Sequence, residues 1–144
     1  MFSKVDYIKV NVSDMSRSVA FYRDILGLPL KFESPGWSEF QTGATTLALH
    51  RKRARVGGEG GAPAEPLAGT CSIGFSVEDL AATHRQLTAR GARFVMPPTE
   101  KQNEGIRLAV CLDPDGLGIS FAEPLSREPP RREQQRHRTR NTET

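Results

Sequence analysis

From residue 7 the chain alternates in character. Ile8, Val10 and Val12 are apolar, and Tyr7, Lys9 and Asn11 between them are polar or amphipathic. A period of two predicts a strand with one face turned to a core. Ser13 or Asp14 then offers an N-cap oxygen to a helix whose apolar stripe is Met15, Val19, Tyr22 and Leu26, and Gly27 stops that helix in a left-handed C-terminal position. The segment LPLKFE at 28–33 follows as a strand. A hairpin comes next: WSEFQ, a turn at Thr42 and Gly43, then TTLALHR.

The same order recurs downstream. YIKVNVSDMSRSVAFYRDILGLPLKF runs against SIGFSVEDLAATHRQLTARGARFV, with Tyr7 opposite Ser72, Val12 opposite Val77 and Asp14 opposite Asp79. Ile73, Phe75 and Val77 form the second alternating strand. Glu78 or Asp79 caps a helix with Leu80, His84 and Leu87 on its stripe, and Gly91 ends it. ARFVM at 92–96 is the next strand, and IRLAVCL, the turn DPDG and GISFAE make the closing hairpin. In that turn Pro114 presets φ and Gly116 accepts a positive one. Each half is therefore β-α-β-β-β, and the fold class predicted is α+β, two βαβββ modules whose mixed sheets form a cupped site.

Composition divides the chain. Residues 1–56 are the first module, 57–69 a flexible linker rich in Gly, Ala and Pro, 70–124 the second module, and 125–144 a basic tail predicted to be disordered for want of apolar side chains. That tail carries six arginines against three glutamates, which accounts for the whole formal net charge of +3. The folded part is neutral, so nucleic acid is not an expected partner. No run reaches the length of a membrane span and MFSKVDY lacks the apolar centre of a signal peptide, so the expected location is cytoplasmic. Cys71 and Cys111 read as small buried thiols in strands, neither a disulfide framework nor a zinc site.

Strand parity selects the cup lining, because the apolar set of each strand must lie under its helix. Tyr7, Lys9 and Asn11 face the cup in the first strand, and Ser72, Gly74 and Ser76 in its counterpart. In the last strands Ala48, His50 and Ser120 face it, while Leu47, Leu49, Ile119 and Phe121 go under the helices. Trp37 and Phe40 add aromatic wall. The stretch PPTEKQNEGIR at 97–107 reads as a loop over the cup mouth that brings Lys101, Glu104 or Arg107 within reach of a ligand.

The phrase VNVSDMSRSVAFYRDILGLPL, the repeated βαβββ plan and the closing DPDGLGISFAE resemble the vicinal oxygen chelate superfamily of glyoxalases, extradiol dioxygenases, fosfomycin-resistance enzymes and bleomycin-resistance proteins, over residues 4–124. The resemblance implies metal ligands at Tyr7, Ala48, Ser72 and Ser120, where the family often has histidine or glutamate. Hydroxyls and a methyl group are a poor donor set for a divalent metal, so neither metal nor other cofactor is expected. His50 lies on the cup side, with Glu39 or Glu104 as a partner for a displaced site, whereas His84 reads as a packing residue. The expected role is metal-independent binding of a small organic molecule, of the drug-sequestering, bleomycin-resistance kind, with Tyr7, Lys9, Asn11, Trp37, Phe40, His50, Ser72 and Ser120 as contacts. The resemblance further implies a homodimer. Two alternatives stand beside this reading: a glyoxalase-type metal-dependent lyase or isomerase, and a metal-free acid/base enzyme using Tyr7 and His50.

Overall fold

The structure is a computed structural model, and it describes residues 1, 4–53 and 68–125. Most of the linker expected at 57–69, and the basic tail beyond Leu125, lie outside the described residues; Ala68 and Gly69 form a turn.

The first module contains β1 (Tyr7–Val12), α1 (Met15–Ala20), β2 (Leu30–Phe32), β3 (Trp37–Gln41) and β4 (Thr46–Arg51). The second contains β5 (Ile73–Ser76), α2 (Leu80–Ala89), β6 (Arg93–Lys101), β7 (Ile106–Leu112) and β8 (Gly118–Pro124). Both modules are βαβββ, as expected from the repeat. Each forms a four-stranded mixed sheet, in the orders β1-β4-β3-β2 and β5-β8-β7-β6, with the first and last strands of a module parallel. No candidate membrane-spanning helix is found among the described residues.

The helix caps follow from single side chains. Asp14 accepts from the Arg17 backbone N–H at 3.1 Å and Asp79 from that of Ala82 at 3.0 Å, satisfying first-turn donors that have no partner within the helix. Gly27 and Gly91 close the helical segments at φ 77° and 99°, a region that costs a side-chain-bearing residue strain. One feature of the first helix departs from the expected regular stripe. After Ala20 the backbone widens into a π turn over Phe21–Ile25, with the Leu26 N–H donating to the Phe21 carbonyl at 3.0 Å. Two consecutive aromatics of this turn, Phe21 and Tyr22, are both buried in the core, where their rings meet edge to face.

Under the helices the apolar parity holds. Val10, Val12, Leu47, Leu49, Ile73, Ile119 and Phe121 are buried in one hydrophobic cluster that draws on both modules. His84 packs edge-on to Phe94 at 4.5 Å, which agrees with its reading as a packing residue. Three expectations are corrected. Phe40, expected on the cup wall, is fully buried on the helix side against Tyr22, because its register partners in β2 and β4 are Leu30 and the core residue Leu47. Cys71 is exposed: β5 begins only at Ile73, opposite Ile119, and leaves Cys71 and Ser72 before the strand, while Cys111 is buried in β7 as expected. The segment expected as a loop at 97–107 is mostly strand. β6 runs on through Pro97 and Pro98 to Lys101, which an edge strand tolerates because the missing donors face no partner strand.

The modules join through their helical sides. The Tyr22 hydroxyl donates to the Asp113 carboxylate at 3.0 Å, a buried bond between residues 91 positions apart. Asp113 also accepts from the backbone N–H groups of Asp115 and Leu117 at 2.9 and 2.8 Å, which fixes the DPDG turn. Around it the Ser13 hydroxyl and backbone N–H donate to Asp115, Arg17 donates to the Pro114 carbonyl at 3.1 Å, and Arg90 donates to the Ile25 carbonyl at 3.1 Å. Burial pushes the Asp113 carboxyl up, opposed by its hydrogen bonds, and pushes the nearby Cys111 thiol up to about 11. Tyr22→Phe leaves the Asp113 carboxylate with one donor fewer in a buried site and is expected to cost about 1–3 kcal/mol of unfolding free energy by urea denaturation. An unchanged midpoint would show that this bond does not help hold the modules together.

Candidate functional site

The faces of the two sheets opposite the core carry the cup residues. On the first sheet Tyr7, Lys9 and Asn11 of β1 stand beside Thr46, Ala48 and His50 of β4 in parallel register, and His50 stands opposite Trp37 of β3 in antiparallel register. This brings three rings together. Tyr7 and Trp37 meet edge to face with centroids 6.0 Å apart, and Trp37 and His50 are tilted at 5.6 Å. Tyr7 remains 54% exposed although it belongs to this group, so the cluster has an open aromatic surface.

His50 is the centre of the electrostatics. Its pKa falls below the ordinary 6.5, first because the ring is taken out of water and then because Lys52 and Lys9 repel a positive imidazole. Its Nδ1 is buried and without a hydrogen-bond partner among the described residues. Glu39, the only carboxylate in the four strands of this sheet, accepts from the Trp37 indole N–H at 3.2 Å, and Lys31 donates to the Thr46 hydroxyl. Lys52, Phe32 and Glu39 therefore join the wall although sequence reasoning did not name them as ligand contacts. Phe32 faces out because β2 shifts register between Leu30 and Phe32 and sets it opposite Glu39.

The second sheet offers a different wall. Gly74, Ser76, Ser120 and Ala122 line its parallel pair, with Leu108 and Val110 beside them in β7. Ser120 donates to the Ile73 carbonyl at 3.3 Å, and a Cβ on Gly74 would come within 3.0 Å of the Ser120 hydroxyl, so the glycine keeps this surface low. Of the expected loop residues, Lys101 ends β6 and Glu104 lies in a short 3₁₀ turn. Arg107 is held between Glu100 at 2.9 Å and Glu123 at 3.2 Å.

The chain matches the profile of the Glyoxalase/Bleomycin resistance protein/Dioxygenase superfamily across residues 4–121. It belongs to that superfamily. The uncharacterized protein YraH of Bacillus subtilis is 30% identical over 120 residues, spanning 78% of this chain and 91% of YraH. A glyoxalase/bleomycin resistance protein/dioxygenase from Nocardioides has the same fold, with a TM-score of 0.68 at 24% identity over 90% of this chain and 89% of that one. TnmS3, an antibiotic binding protein from Streptomyces sp. CB03234, superposes with a TM-score of 0.66 at 25% identity over 85% of this chain and 97% of TnmS3.

The resemblance read from the sequence assigns the metal-ligand positions of metal-using members of the superfamily to Tyr7, Ala48, Ser72 and Ser120. Ala48 is a fully buried methyl, Ser72 stands outside β5, and Ser120 is engaged with backbone. These side chains do not fit a divalent metal, which takes imidazole nitrogen or carboxylate oxygen in a compact set. No group of three His, Cys, Asp or Glu side chains suited to a metal occurs among the described residues. For the acid/base alternative, Tyr7 is opposite Thr46, four positions before His50, and the Trp37 ring stands against both.

His50 should titrate below 6.5 by NMR, and Lys9→Gln and Lys52→Gln should each raise its midpoint. Because folding favours the neutral ring, its contribution to stability is present above about pH 6.5 and is lost as the pH falls through the depressed folded value. A midpoint above 6.5 would show that His50 gains an anionic neighbour absent from this description.

Proposed function

We propose that the protein binds a small planar organic molecule in the cup without a metal, as a drug-sequestering protein. The observation that carries this reading is the open cluster of Tyr7, Trp37 and His50. Its ring faces suit stacking, and its flanking Lys9 and Asn11 supply polar contacts. Similarity to an antibiotic binding protein supports it, as does the poor donor set at the superfamily's ligand positions.

The same reading includes a homodimer. Among the described residues β1 pairs only with β4 and β5 only with β8, so each sheet has an open edge on its first strand. Asp6 and Val12 direct their carbonyls to β4, and Val77 directs its N–H to β8. By strand alternation Tyr7, Lys9 and Asn11, and likewise Gly74 and Ser76, then turn their own backbone groups to the open edges. Neither edge carries a proline, and a long unprotected edge calls for a partner. A second copy that sets its β5 against β1 covers both edges and brings the low wall opposite the aromatic one.

Titration with planar aromatic and peptide-like antibiotics should quench the emission of Trp37, the only tryptophan, equally in chelator-stripped protein and in protein reloaded with nickel, zinc, manganese or iron. Binding that requires metal, or stoichiometric metal that disappears in His50→Ala, would return the protein to the metal-dependent side. Light scattering on the full chain should give twice its 15.9 kDa mass. A monomer mass at micromolar concentration would exclude the shared cup.

A further inference from the structure

The two walls differ in charge as well as shape, and this bears on what enters between them. Resting on the binding function proposed above, we infer that the ligand is a planar aromatic anion, a carboxylate or phenolate, whose ring lies against Tyr7 and Trp37 and whose anionic oxygen lies at His50 between Lys9 and Lys52.

Register sets this arrangement. Asn11 is opposite His50 and Lys9 is opposite Ala48, so Lys9 stands diagonally one pair behind the imidazole. Lys52 lies just past the end of β4, its backbone N–H donating to the Val12 carbonyl at 2.8 Å, near enough to His50 to repel a positive imidazole. The histidine is therefore bracketed by two lysines, each about 7–8 Å from it in backbone spacing. Neither lysine forms an ion pair among the described residues, in contrast to Arg107, whose charge is met by two carboxylates. Glu39 does not neutralise the pair, because its carboxylate is turned to the Trp37 indole. Two cations unpaired among the described residues, beside an uncharged ring, leave a net positive site next to an apolar stacking surface.

The half-buried imidazole of His50 adds a polar contact beside the two ammonium groups: a neutral ring offers one donor and one acceptor, and because its Nδ1 is closed off within the protein, a ligand oxygen meets the ring at the part that remains exposed. A ligand cation gains nothing here: it meets two lysines and a histidine that cannot balance it. The opposite wall of Gly74, Ser76, Ser120 and Ala122 brings no charge of its own, so the choice of sign rests with the first sheet.

The test uses three probes that share one ring system and differ in charge: 2-naphthoate, its neutral methyl ester, and 2-naphthylmethylammonium, each measured by equilibrium dialysis on the full chain at low and moderate salt. Naphthoate is expected to bind most tightly and to lose affinity as salt rises. Lys9→Gln and Lys52→Gln should each weaken naphthoate by about two- to fivefold, the range of an exposed ion pair, and weaken the ester less than naphthoate. Both lysines are exposed, so the variants are expected to fold, and circular dichroism checks this. If the ester or the ammonium probe binds as tightly as naphthoate, the charge inference is overturned while the cup remains a binding site. If the lysine changes weaken all three probes alike, the lysines support the wall without selecting charge, and the inference falls. If none of the three binds at millimolar concentration, the inference is overturned, and the antibiotic panel then decides the binding function separately.

Discussion

The hydrogen bond from Tyr22 to Asp113 is the constraint around which the chain is organised. It joins the first module's helix to the second module's last hairpin inside the shared core, and the same carboxylate pins the turn that leads into β8. Tyr22 reaches it from the π turn over Phe21–Ile25, pointing inward beside Phe21. A buried carboxylate is costly without partners, and three donors converge on this one. The contacts of Ser13, Arg17 and Arg90 gather around the same seam.

Because the seam lies on the helical side, the other face of each sheet is left open. The strands that bury Val10, Leu49 and Ile119 inward present Lys9, His50 and Ser120 outward, and the open edges of β1 and β5 lie beside those outward residues. Joining the modules at one face thus leaves free both the outward surface proposed for a ligand and the edges proposed for a second copy. Chemistry is concentrated on the first sheet, where aromatic rings and lysines surround a neutral histidine, and the second sheet supplies relief rather than charge.

Much of this was legible in the sequence because it rests on local rules. Alternation assigned the faces of β1, β4 and β8, carboxylates marked both N-caps, and Gly27, Gly91 and DPDG marked the stops and the turn. The errors have equally local causes. Trp37 and Phe40 are three positions apart, an odd spacing that puts them on opposite faces, so both could not line the cup; attention to aromatic character overrode the period. The length and polarity of the stretch 97–107 suggested a loop, but only pairing shows that β6 is an edge strand that accepts Pro97 and Pro98. Nothing in the helical stripe announced the π turn, since Tyr22 fits a regular helix until its distant partner is known. The grouping of Lys52 with Lys9 around His50 depends on parallel register between β1 and β4, which spacing along the chain does not reveal.

The separation of faces along each strand has a consequence for how such a protein changes over evolutionary time. Tyr7, Lys9 and His50 share strands with the core but are largely absent from it, so exchanging them alters recognition with little penalty in folding. Phe40 and Tyr22 are bound by the opposite rule, since each fills space that no neighbour can reclaim. A lineage with this plan is free to drift from one ligand to another through outward residues, carrying an almost unaltered interior. That freedom accounts for the many unlike activities found on one scaffold.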